Sequence, residues 1–412
     1  MEMKKGYVQT DVGIIPDDWT LSPMGNIGKA IIGLTYSPRN VSSYGKLVHR
    51  SSNIQENKLA YDDNVYVNVE IDEKLILKEN DILICVRNGS RDLIGKSALI
   101  SGKSIGETFG AFMSVFRTNY NASFIYQLFI SNVIQKQINE SLGATINQIT
   151  NKTINEFKIP LPPTKAEQTS IATALNDADA LITSLEKLIE KKRAIKQGAM
   201  QELLRPNEGW EVKKLGEIGK CHRGVSYNPE RDLYPYDTDI TVRLLRSNNI
   251  QNRNLDLNNL QFVDRAIVKS NQILQNNDIV ICMANGSKQL VGKSTIYNDK
   301  DNNKYTFGAF MGCFRIDENL ASSSFVAVTF QSFQYRSYID VLLSGSSINN
   351  LNPSNIESID IPFPSWEEQV RIATILGELD AEIAGLEQKR GKYKLIKQGM
   401  MQELLTGKIR LV

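Results

Sequence analysis

Two glycine-lysine-serine segments come nearest to a nucleotide-binding motif in this sequence. Gly89 is followed after five residues by Gly95-Lys96-Ser97, and Gly286 after five residues by Gly292-Lys293-Ser294. A phosphate-binding P-loop has four residues in this spacer and leads into a helix whose N-terminus faces the phosphates. Each spacer here has one residue too many, and the apolar residues that follow predict a strand. The segments therefore do not indicate a nucleotide site.

The remaining reactive residues form no catalytic or metal-binding set. The sequence has two histidines, His49 and His222, at positions that do not match between its halves, and no G-x-G-x-x-G or N-P-P-aromatic segment. Its four cysteines contain no C-x-x-C pair, so their spacing indicates neither a zinc site nor a disulfide framework; they are Cys85, Cys221, Cys282 and Cys313. We expect no catalytic residue, no cofactor site and no metal site in this chain.

Length and composition are those of a globular protein. A chain of 412 residues with 41% apolar and 23% charged residues is long enough for two or three domains. No run approaches eighteen apolar residues, and the first ten residues contain no apolar segment, so we expect no membrane span, no signal peptide and a cytoplasmic location. The net charge of +2 is low for a nucleic-acid-binding protein, and partner subunits could supply further positive charge.

The second half of the chain repeats the first. Residues 81–100 read DILICVRNGSRDLIGKSALI and residues 278–297 read DIVICMANGSKQLVGKSTIY, with eleven of twenty positions identical. TFGAFM occurs at residues 108–113 and again at 306–311, and IKQGAMQELL at 195–204 returns as IKQGMMQELL at 396–405. A period of about 200 residues is too long for a solenoid, so it indicates a duplicated domain.

Each copy predicts a mixed α/β globule followed by a long helix. Short apolar runs separated by glycine turns predict several strands, and Phe124–Glu140 and Phe325–Leu343 are predicted to be helical. The globules end in extended, proline-bearing segments, Ile159–Pro163 and Ile361–Pro364. Apolar residues then recur at alternating steps of four and three, which predicts a coiled-coil seam on a helix of about 60 Å; they are Ile171, Leu175, Ala178, Ile182, Leu185 and Ile189, and in the second copy Ile372, Leu376, Leu379, Ile383 and Leu386.

Charge indicates how these helices pair. Both carry acidic residues early and basic residues late, so antiparallel pairing sets acid against base along the seam. With midpoints near Ser184 and Gly385, the predicted neighbours are Asp177 with Lys392, Asp179 with Arg390, Lys187 with Glu382, and Lys191 with Glu378. The predicted fold is α+β: two similar α/β globules joined by two long antiparallel coiled-coil helices, with a pseudo-two-fold internal repeat.

The whole chain resembles the specificity subunits of type I restriction-modification systems. The resemblance is carried by the proline-bearing exits with the Glu-Gln and Ile-Ala pairs that follow them, at Glu167-Gln168, Ile171-Ala172, Glu368-Gln369 and Ile372-Ala373, and by Gly13–Trp19 and Leu405–Lys408 at the two ends. It implies target-recognition domains at residues 1–163 and 205–364, a spacer helix at 164–204, and a second spacer helix with the C-terminal tail at 365–412.

The resemblance also implies a function. Each recognition domain would read one half of a split double-stranded DNA site, and the helices would set the spacing and dock two modification subunits. Those subunits would bind S-adenosylmethionine and methylate adenine. Restriction subunits, where present, would use ATP to translocate and cleave DNA. The chain itself would carry no catalytic centre and bind no membrane.

Candidate DNA-reading residues are polar side chains on loops, because Arg, Lys, Asn, Gln and Ser read base edges. In the first copy they are Tyr36, His49, Arg50, Ser51, Asn53, Arg87, Asn88, Ser90, Arg91 and Lys96. In the second they are Tyr227, Arg246, Ser247, Asn249, Asn285, Ser287, Lys288, Gln289 and Lys293. The structural alternative is that the shared Asn-Gly-Ser and Gly-Lys-Ser segments are turns of the globule. The likeness of the two copies predicts related half-sites in inverted orientation, a split and partly palindromic sequence.

Three other functions stay open on the sequence alone. The chain could serve a stand-alone adenine methyltransferase or another defence complex without restriction activity, and neighbouring genes would decide between these and a restriction system. An ATP-dependent enzyme using the two glycine-lysine-serine segments would bind nucleotide. A coiled-coil scaffold would show no DNA preference.

Overall fold

A computed structural model describes residues 5–143, 146–251, 254–298, 301, 303–345 and 349–412. Contacts divide the chain into two compact units: unit 1, drawn from Met1–Lys187 and Gln388–Val412, and unit 2, Leu188–Glu387. Two 39-residue helices contribute to both units, so each unit contains a part of each long helix. Among the described residues, no helix has both the length and the apolar character needed to cross a membrane.

Unit 1 is built mainly from short strands. They are β1 (Tyr7–Thr10), β2 (Gly13–Pro16), β3 (Thr20–Pro23), β4 (Gly28–Ile32), β5 (Val41–Ser42), β6 (Lys46–His49), β7 (Ile54–Gln55), β8 (Lys58–Leu59), β9 (Tyr66–Val67), β10 (Ile82–Cys85), β11 (Ser97–Leu99), β12 (Thr108–Phe109), β13 (Met113–Thr118) and β14 (Lys158–Leu161). Its helices are α1 (Ala122–Phe129), α2 (Asn132–Ser141), α3 (Asn151–Glu156), the first part of α4 (Lys165–Leu203) and the last part of α10 (Trp366–Leu404).

Unit 2 repeats the strands of unit 1 from β3 onward in the same order, and its described residues form no counterparts of β1 and β2. Its strands are β15 (Glu211–Lys214), β16 (Gly219–Arg223), β17 (Leu233–Tyr234), β18 (Thr241–Leu245), β19 (Ile250–Gln251), β20 (Asn254–Leu255), β21 (Gln261–Asp264), β22 (Ile279–Cys282), β23 (Ser294–Ile296), β24 (Tyr305–Phe307), β25 (Met311–Ile316) and β26 (Asp360–Phe363). Its helices are α5 (Leu215–Ile218), α6 (Pro229–Asp232), α7 (Ser323–Thr329), α8 (Phe333–Ser344), α9 (Pro353–Glu357) and part of α10 (Trp366–Leu404).

The internal repeat appears in the sheets. Unit 1 has four-stranded sheets of order β11-β10-β13-β4 and β12-β6-β9-β5, and unit 2 has β23-β22-β25-β16 and β24-β18-β21-β17. The central strand runs ILIC and IVIC are fully buried, as expected for strands covered on both faces. In each unit a buried aspartate after a turn accepts two hydrogen bonds from an arginine on the neighbouring strand, Asp81 from Arg117 and Asp278 from Arg315.

The two predicted helical segments of the globules are each broken into two helices. The helix α1 ends at Phe129, and Ser131 caps α2 by accepting a hydrogen bond from the backbone N–H of Val133. Ser332 caps α8 in the same way, with the N–H of Tyr335 as donor. The apolar periodicity continues across both breaks, which is why the sequence predicts a single helix in each segment. A serine that accepts hydrogen bonds from the free N–H groups of a new helix allows the chain to end one helix and begin another.

Antiparallel pairing of the long helices is confirmed within each unit. In unit 1, Asp179 and Glu186 of α4 pair with Lys397 and Lys394 of α10. In unit 2, Lys192 and Lys196 of α4 pair with Glu382 and Asp380 of α10. Residue numbers rise along one helix as they fall along the other, as antiparallel helices require.

The predicted register of this pairing is wrong by about one heptad. Asp179 pairs with Lys397 instead of Arg390, and Glu382 pairs with Lys192 instead of Lys187. A shift of seven residues leaves an apolar seam in phase, so the seam does not distinguish the two registers. The cores of the globules do. Ile171 and Leu175 of α4 share one buried cluster with Leu404 and Leu405 at the end of α10.

Candidate nucleic-acid interface

Three segments meet at one surface in each unit. The arginine-serine loop comprises Arg50–Asn53 in unit 1 and Arg246–Asn249 in unit 2. The asparagine-glycine loop comprises Arg87–Asp92 and Ala284–Gln289. The phenylalanine turn comprises Gly110–Met113 and Gly308–Met311, and it begins the strand β13 or β25. All three lie where strands of the two four-stranded sheets end.

Hydrogen bonds hold the three segments together in unit 1. Nδ2 of Asn88 donates to Oγ of Ser51 at 3.0 Å, which ties the asparagine-glycine loop to the arginine-serine loop. The backbone N–H of Arg87 donates to the carbonyl of Phe112 at 3.1 Å, which ties it to the phenylalanine turn. Nζ of Lys96 also donates to the carbonyl of Ser51 at 3.4 Å. The predicted residues of these loops therefore form one surface.

Unit 2 repeats this arrangement. Nδ2 of Asn285 donates to Oγ of Ser247 at 3.4 Å, and the N–H of Ala284 donates to the carbonyl of Phe310 at 3.0 Å. Lys293 is half-buried at the position that corresponds to Lys96. The two units thus build corresponding surfaces, with the same two ties between the loops.

Several predicted side chains are accessible on these surfaces. Arg87, Ser90 and Arg91 are exposed in unit 1, as are Ser287 and Gln289 in unit 2. Arg91 donates to the carbonyl of Asn139, and Lys288 donates to Oγ of Ser344. These two cations are thus held toward α2 and α8, whereas the guanidinium of Arg87 lies over the ring of Phe112, 5.1 Å from its centroid.

The arginines of the arginine-serine loop differ between units. Arg50 forms an ion pair with Asp63, at 2.7 Å between Nη2 and Oδ1. Asn259 occupies the corresponding position of unit 2. Both arginines are half-buried, and Nε of each is buried without a hydrogen-bond partner among the described residues, so the difference between the units lies in the ion pair. The cation of unit 2 therefore lacks the aspartate that neutralises Arg50.

Three predicted reading residues are buried and belong to the scaffold. Oδ1 of Asn53 accepts the N–H of Arg50, and Asn249 does the same for Arg246, so each asparagine closes its loop from inside. Neither is more than 1% exposed. His49 is fully buried at the end of β6, and burial lowers its pKa from 6.5 to about 4. A side chain buried in this way does not reach a base edge, so the structure favours a scaffold role for these three residues over the predicted reading role.

The two predicted tyrosines lie beside the phenylalanine turns. A methyl group added at Gly110 would lie 3.9 Å from the ring of Tyr36, and one added at Gly308 would lie 3.5 Å from the ring of Tyr227. Both tyrosines are half-buried, and the hydroxyl of Tyr227 donates to Gln261 at 3.5 Å. The two tyrosine rings thus pack beside the phenylalanine turns, and only part of each ring is accessible.

The glycine-lysine-serine segments lead into strands, as predicted. Ser97 begins β11 and Ser294 begins β23, so no helix N-terminus follows either lysine. A further segment, Gly102–Gly106, has the G-x-S-x-G spacing of a hydrolase nucleophile, but Ser104 is buried and shares a 2.7 Å hydrogen bond with the hydroxyl of Tyr61. Neither segment has the geometry that its chemistry requires.

The four cysteines are buried and free. Burial raises the pKa of Cys85 to about 11 and that of Cys221 to about 12, and it also raises the pKa of Cys282 and Cys313. All four thiols are therefore protonated at neutral pH and are poor nucleophiles. The described residues contain no group of three or more His, Cys, Asp or Glu side chains placed to hold a metal ion.

Sequence reasoning missed three contributors to these surfaces. Phe112 and Phe310 are 58% and 68% exposed, although an apolar residue in TFGAFM is typical of a core. Asn147 and Asn349 each donate to the carbonyl of the loop glycine, Gly89 or Gly286. Arg223 donates to the carbonyls of Ala309 and Leu351 and so supports the phenylalanine turn of unit 2. The repeated TFGAFM and Ile-Asn segments are the signal that points to the first two.

Comparison with known proteins shows one consistent similarity. The model of the family described as type I restriction modification DNA specificity domain matches the chain twice, at residues 16–197 and 207–395. Two solved chains share the fold at 16% identity. One, from a type I R-M system, covers 96% of this chain and 99% of its own length with a TM-score of 0.60. The other, the S subunit from M. genitalium, covers 98% of each chain with a TM-score of 0.59.

Curated relatives carry the same description. The chain is 36% identical to the StySPI specificity subunit of Salmonella potsdam over 48% of this chain and 43% of that protein. It is 36% identical to the EcoKI specificity subunit of Escherichia coli K12 over 49% and 44%. The chain thus matches less than half the length of these two relatives. The match to the MjaVIII specificity subunit of Methanocaldococcus jannaschii, 24% identical, covers 96% of this chain and 94% of that protein.

Proposed function

The chain belongs to the type I restriction modification DNA specificity domain family, and on this premise we propose that it reads the two halves of a split DNA site for a type I restriction-modification complex. The observation that carries the proposal is the surface that occurs once in each unit, where polar loops are tied together by corresponding hydrogen bonds. A duplicated reader is suited to a site with two halves.

The contacts sort the candidate residues into readers and supports. Asn88 donates to Ser51 of the arginine-serine loop and accepts the N–H of Ser90 in its own loop, so both ends of its amide are engaged. Asn285 is engaged in the same way, with Ser247 and Ser287. Bidentate reading of adenine would need a free amide, whereas the exposed guanidinium of Arg87 is suited to the O6 and N7 atoms of guanine. We assign the asparagines to support and Arg87, Ser90, Ser287 and Gln289 to reading.

The arginines and lysines around each surface would bind phosphates. Phosphate contacts supply affinity and orientation, and base contacts supply sequence discrimination. In unit 1 the candidate phosphate contacts are Arg50, Arg91 and Lys96, and in unit 2 they are Arg246, Lys288 and Lys293. The low net charge of the chain agrees with a complex in which partner subunits also contact DNA.

Two modification subunits would supply the chemistry. Methylation of adenine requires the base to leave the stack and enter a pocket with S-adenosylmethionine, which we assign to those subunits. Similar surfaces bind similar partners, so an internally repeated chain should dock two copies of one subunit. Restriction subunits, where the complex has them, would bring ATP-driven translocation and cleavage. The chain itself would be non-catalytic, in keeping with the raised pKa of its thiols.

The test is methylome sequencing of a host that expresses the chain with the modification subunits encoded beside it. The expected result is one split motif with methylated adenine in each half. Arg87→Ala should relax one base position of one half-site, and Lys152→Ala, which removes an exposed cation from helix α3, should leave the motif unchanged. Loss of all methylation on omission of this chain, with restoration on its return, completes the test. Methylation at the same motif without the chain would overturn the proposal.

A further inference from the structure

The phenylalanine turn presents an exposed phenyl ring on each candidate DNA surface, beside the asparagine-glycine loop. Phe112 is 58% exposed and Phe310 is 68% exposed. A single exposed apolar side chain is ordinary on a protein surface. These two differ because they occupy corresponding positions of the two units and are surrounded by loops rich in Arg, Asn and Ser.

Backbone hydrogen bonds hold each turn rigidly. The N–H of Met113 donates to the carbonyl of Gly110 at 2.8 Å, and that of Met311 donates to Gly308 at 2.8 Å, so each phenylalanine is the third residue of a β-turn. The N–H of Gly110 donates to His49, and that of Gly308 donates to Leu245, both at 3.0 Å. The carbonyl of Phe112 accepts the N–H groups of Val86 and Arg87 at 3.0 and 3.1 Å. A fixed backbone that leaves the ring exposed is an arrangement typical of a binding residue.

The immediate surroundings of the ring are polar. Arg87 lies over Phe112, and the hydrogen-bonded Asn88 and Ser51 lie next to it in the asparagine-glycine and arginine-serine loops. Polar loops would meet the edges of bases, but a phenyl ring makes no hydrogen bond with an edge. The faces of the bases, which are apolar and accessible only between two base pairs, are the part of DNA that a phenyl ring fits.

We propose that Phe112 and Phe310 are wedges, each inserted at one base step of its half-site, where it stacks on a base and opens the step. This proposal rests on the proposed function. It adds to the polar reading residues a pair of phenylalanines and a stacking contact with a base. Partial unstacking of a step costs a few kcal/mol and is offset by the stack on the aromatic ring. The flexible pyrimidine–purine steps open most easily, so the wedge would favour them.

The experiment uses the full chain without modification subunits, so that no methyltransferase extrudes a base. Duplexes carry the methylome-defined site with 2-aminopurine placed at each step of both half-sites in turn, because its fluorescence rises when stacking is lost. The wild-type chain should raise fluorescence at one step in each half-site. Phe112→Ala should abolish the rise in one half-site, Phe310→Ala in the other, and each should weaken binding by about tenfold to a hundredfold.

Controls separate stacking from general damage. Phe112→Trp should keep the fluorescence signal, and Phe333→Ala, which removes a 72% exposed ring at the start of α8, should leave binding and signal unchanged. Wild-type binding to the site with no fluorescence rise at any step would overturn the wedge and leave the proposed function standing. A duplex in which uracil replaces thymine lacks the thymine methyl group. If wild-type affinity for this duplex falls as much as Phe112→Ala affinity falls for the normal site, and no step is unstacked, the ring contacts the methyl group and the wedge is overturned. Failure of the wild-type chain to prefer the site, both alone and in its complex with the modification subunits, would overturn both.

Discussion

Oδ2 of Asp179 lies 2.6 Å from Nζ of Lys397, and the same pairing occurs in unit 2 between Asp380 and Lys196. The two lysines are largely buried, with side chains 12% and 5% exposed. In unit 1, Gln127 of α1 also donates to Asp179 at 3.1 Å, so the ion pair connects the globule to both long helices. One largely buried ion pair per unit thus stabilises the register that packing of the globule cores selects.

Lys397→Met should lower the free energy of unfolding by about 1–3 kcal/mol, because Asp179 loses its charged partner beside the seam. The measurement is the midpoint of urea unfolding at pH 7. Lys191→Met removes an exposed lysine of α4 and should change the midpoint little. In a double-mutant cycle, Asp179→Asn with Lys397→Met should restore part of the loss. Additive effects of the two changes would contradict a direct pairing.

His49→Leu should flatten the pH dependence of stability. Burial lowers the pKa of His49 from 6.5 to about 4, so between these values the unfolded chain binds a proton that the folded chain does not. The free energy of unfolding is therefore not reduced by His49 above about pH 6.5. As the pH falls from there toward about 4, protonation of His49 in the unfolded chain lowers it by up to about 3 kcal/mol. Leucine is the natural residue at the corresponding position of unit 2, Leu245.

Urea midpoints of wild type and His49→Leu at pH 7.5 and pH 5 test this. The variant should be at least as stable at pH 7.5, because both ring nitrogens of His49 are buried without a hydrogen-bond partner among the described residues. Its stability should also fall less at pH 5. Parallel pH profiles of the two proteins would show that His49 titrates normally.

Changing Lys96 and Lys293 to alanine should leave any ATPase activity of the assembled complex intact. Both lysines precede strands, so they lack the helix N-terminus of a phosphate-binding loop. The double variant should still bind DNA more weakly, with a shallower dependence of log K on log salt, because phosphate contacts are lost. Loss of ATPase in a complex that assembles normally would restore the nucleotide-binding interpretation.

The two half-sites should be related in sequence and inverted in orientation. Among the assigned and neighbouring loop residues, the surfaces share Ser90 with Ser287 and differ at Arg87 against Ala284 and at Asp92 against Gln289. A lost bidentate arginine contact relaxes discrimination by about 1–3 kcal/mol. Arg87→Ala should therefore make the first half-site behave more like the second, and Ala284→Arg should sharpen the second. Unrelated half-sites in the methylome would reassign the shared residues to the scaffold.

Features encoded in repeated patterns were predictable from the sequence. They are the duplication, the strand that follows each glycine-lysine-serine segment, the two long helices and their antiparallel direction. All follow from spacing and charge order, which are properties of the chain alone.

The tertiary structure decided the features for which such patterns allow more than one arrangement. A heptad seam is unchanged by a seven-residue shift, so packing of Leu404 and Leu405 on Ile171 and Leu175 selects the register. The type of a residue likewise does not determine whether its side chain is buried or exposed. Asn53 and Asn249 are enclosed by their own loops, whereas Phe112 and Phe310 project, because long-range strand pairing sets which side chains each turn buries and which it presents.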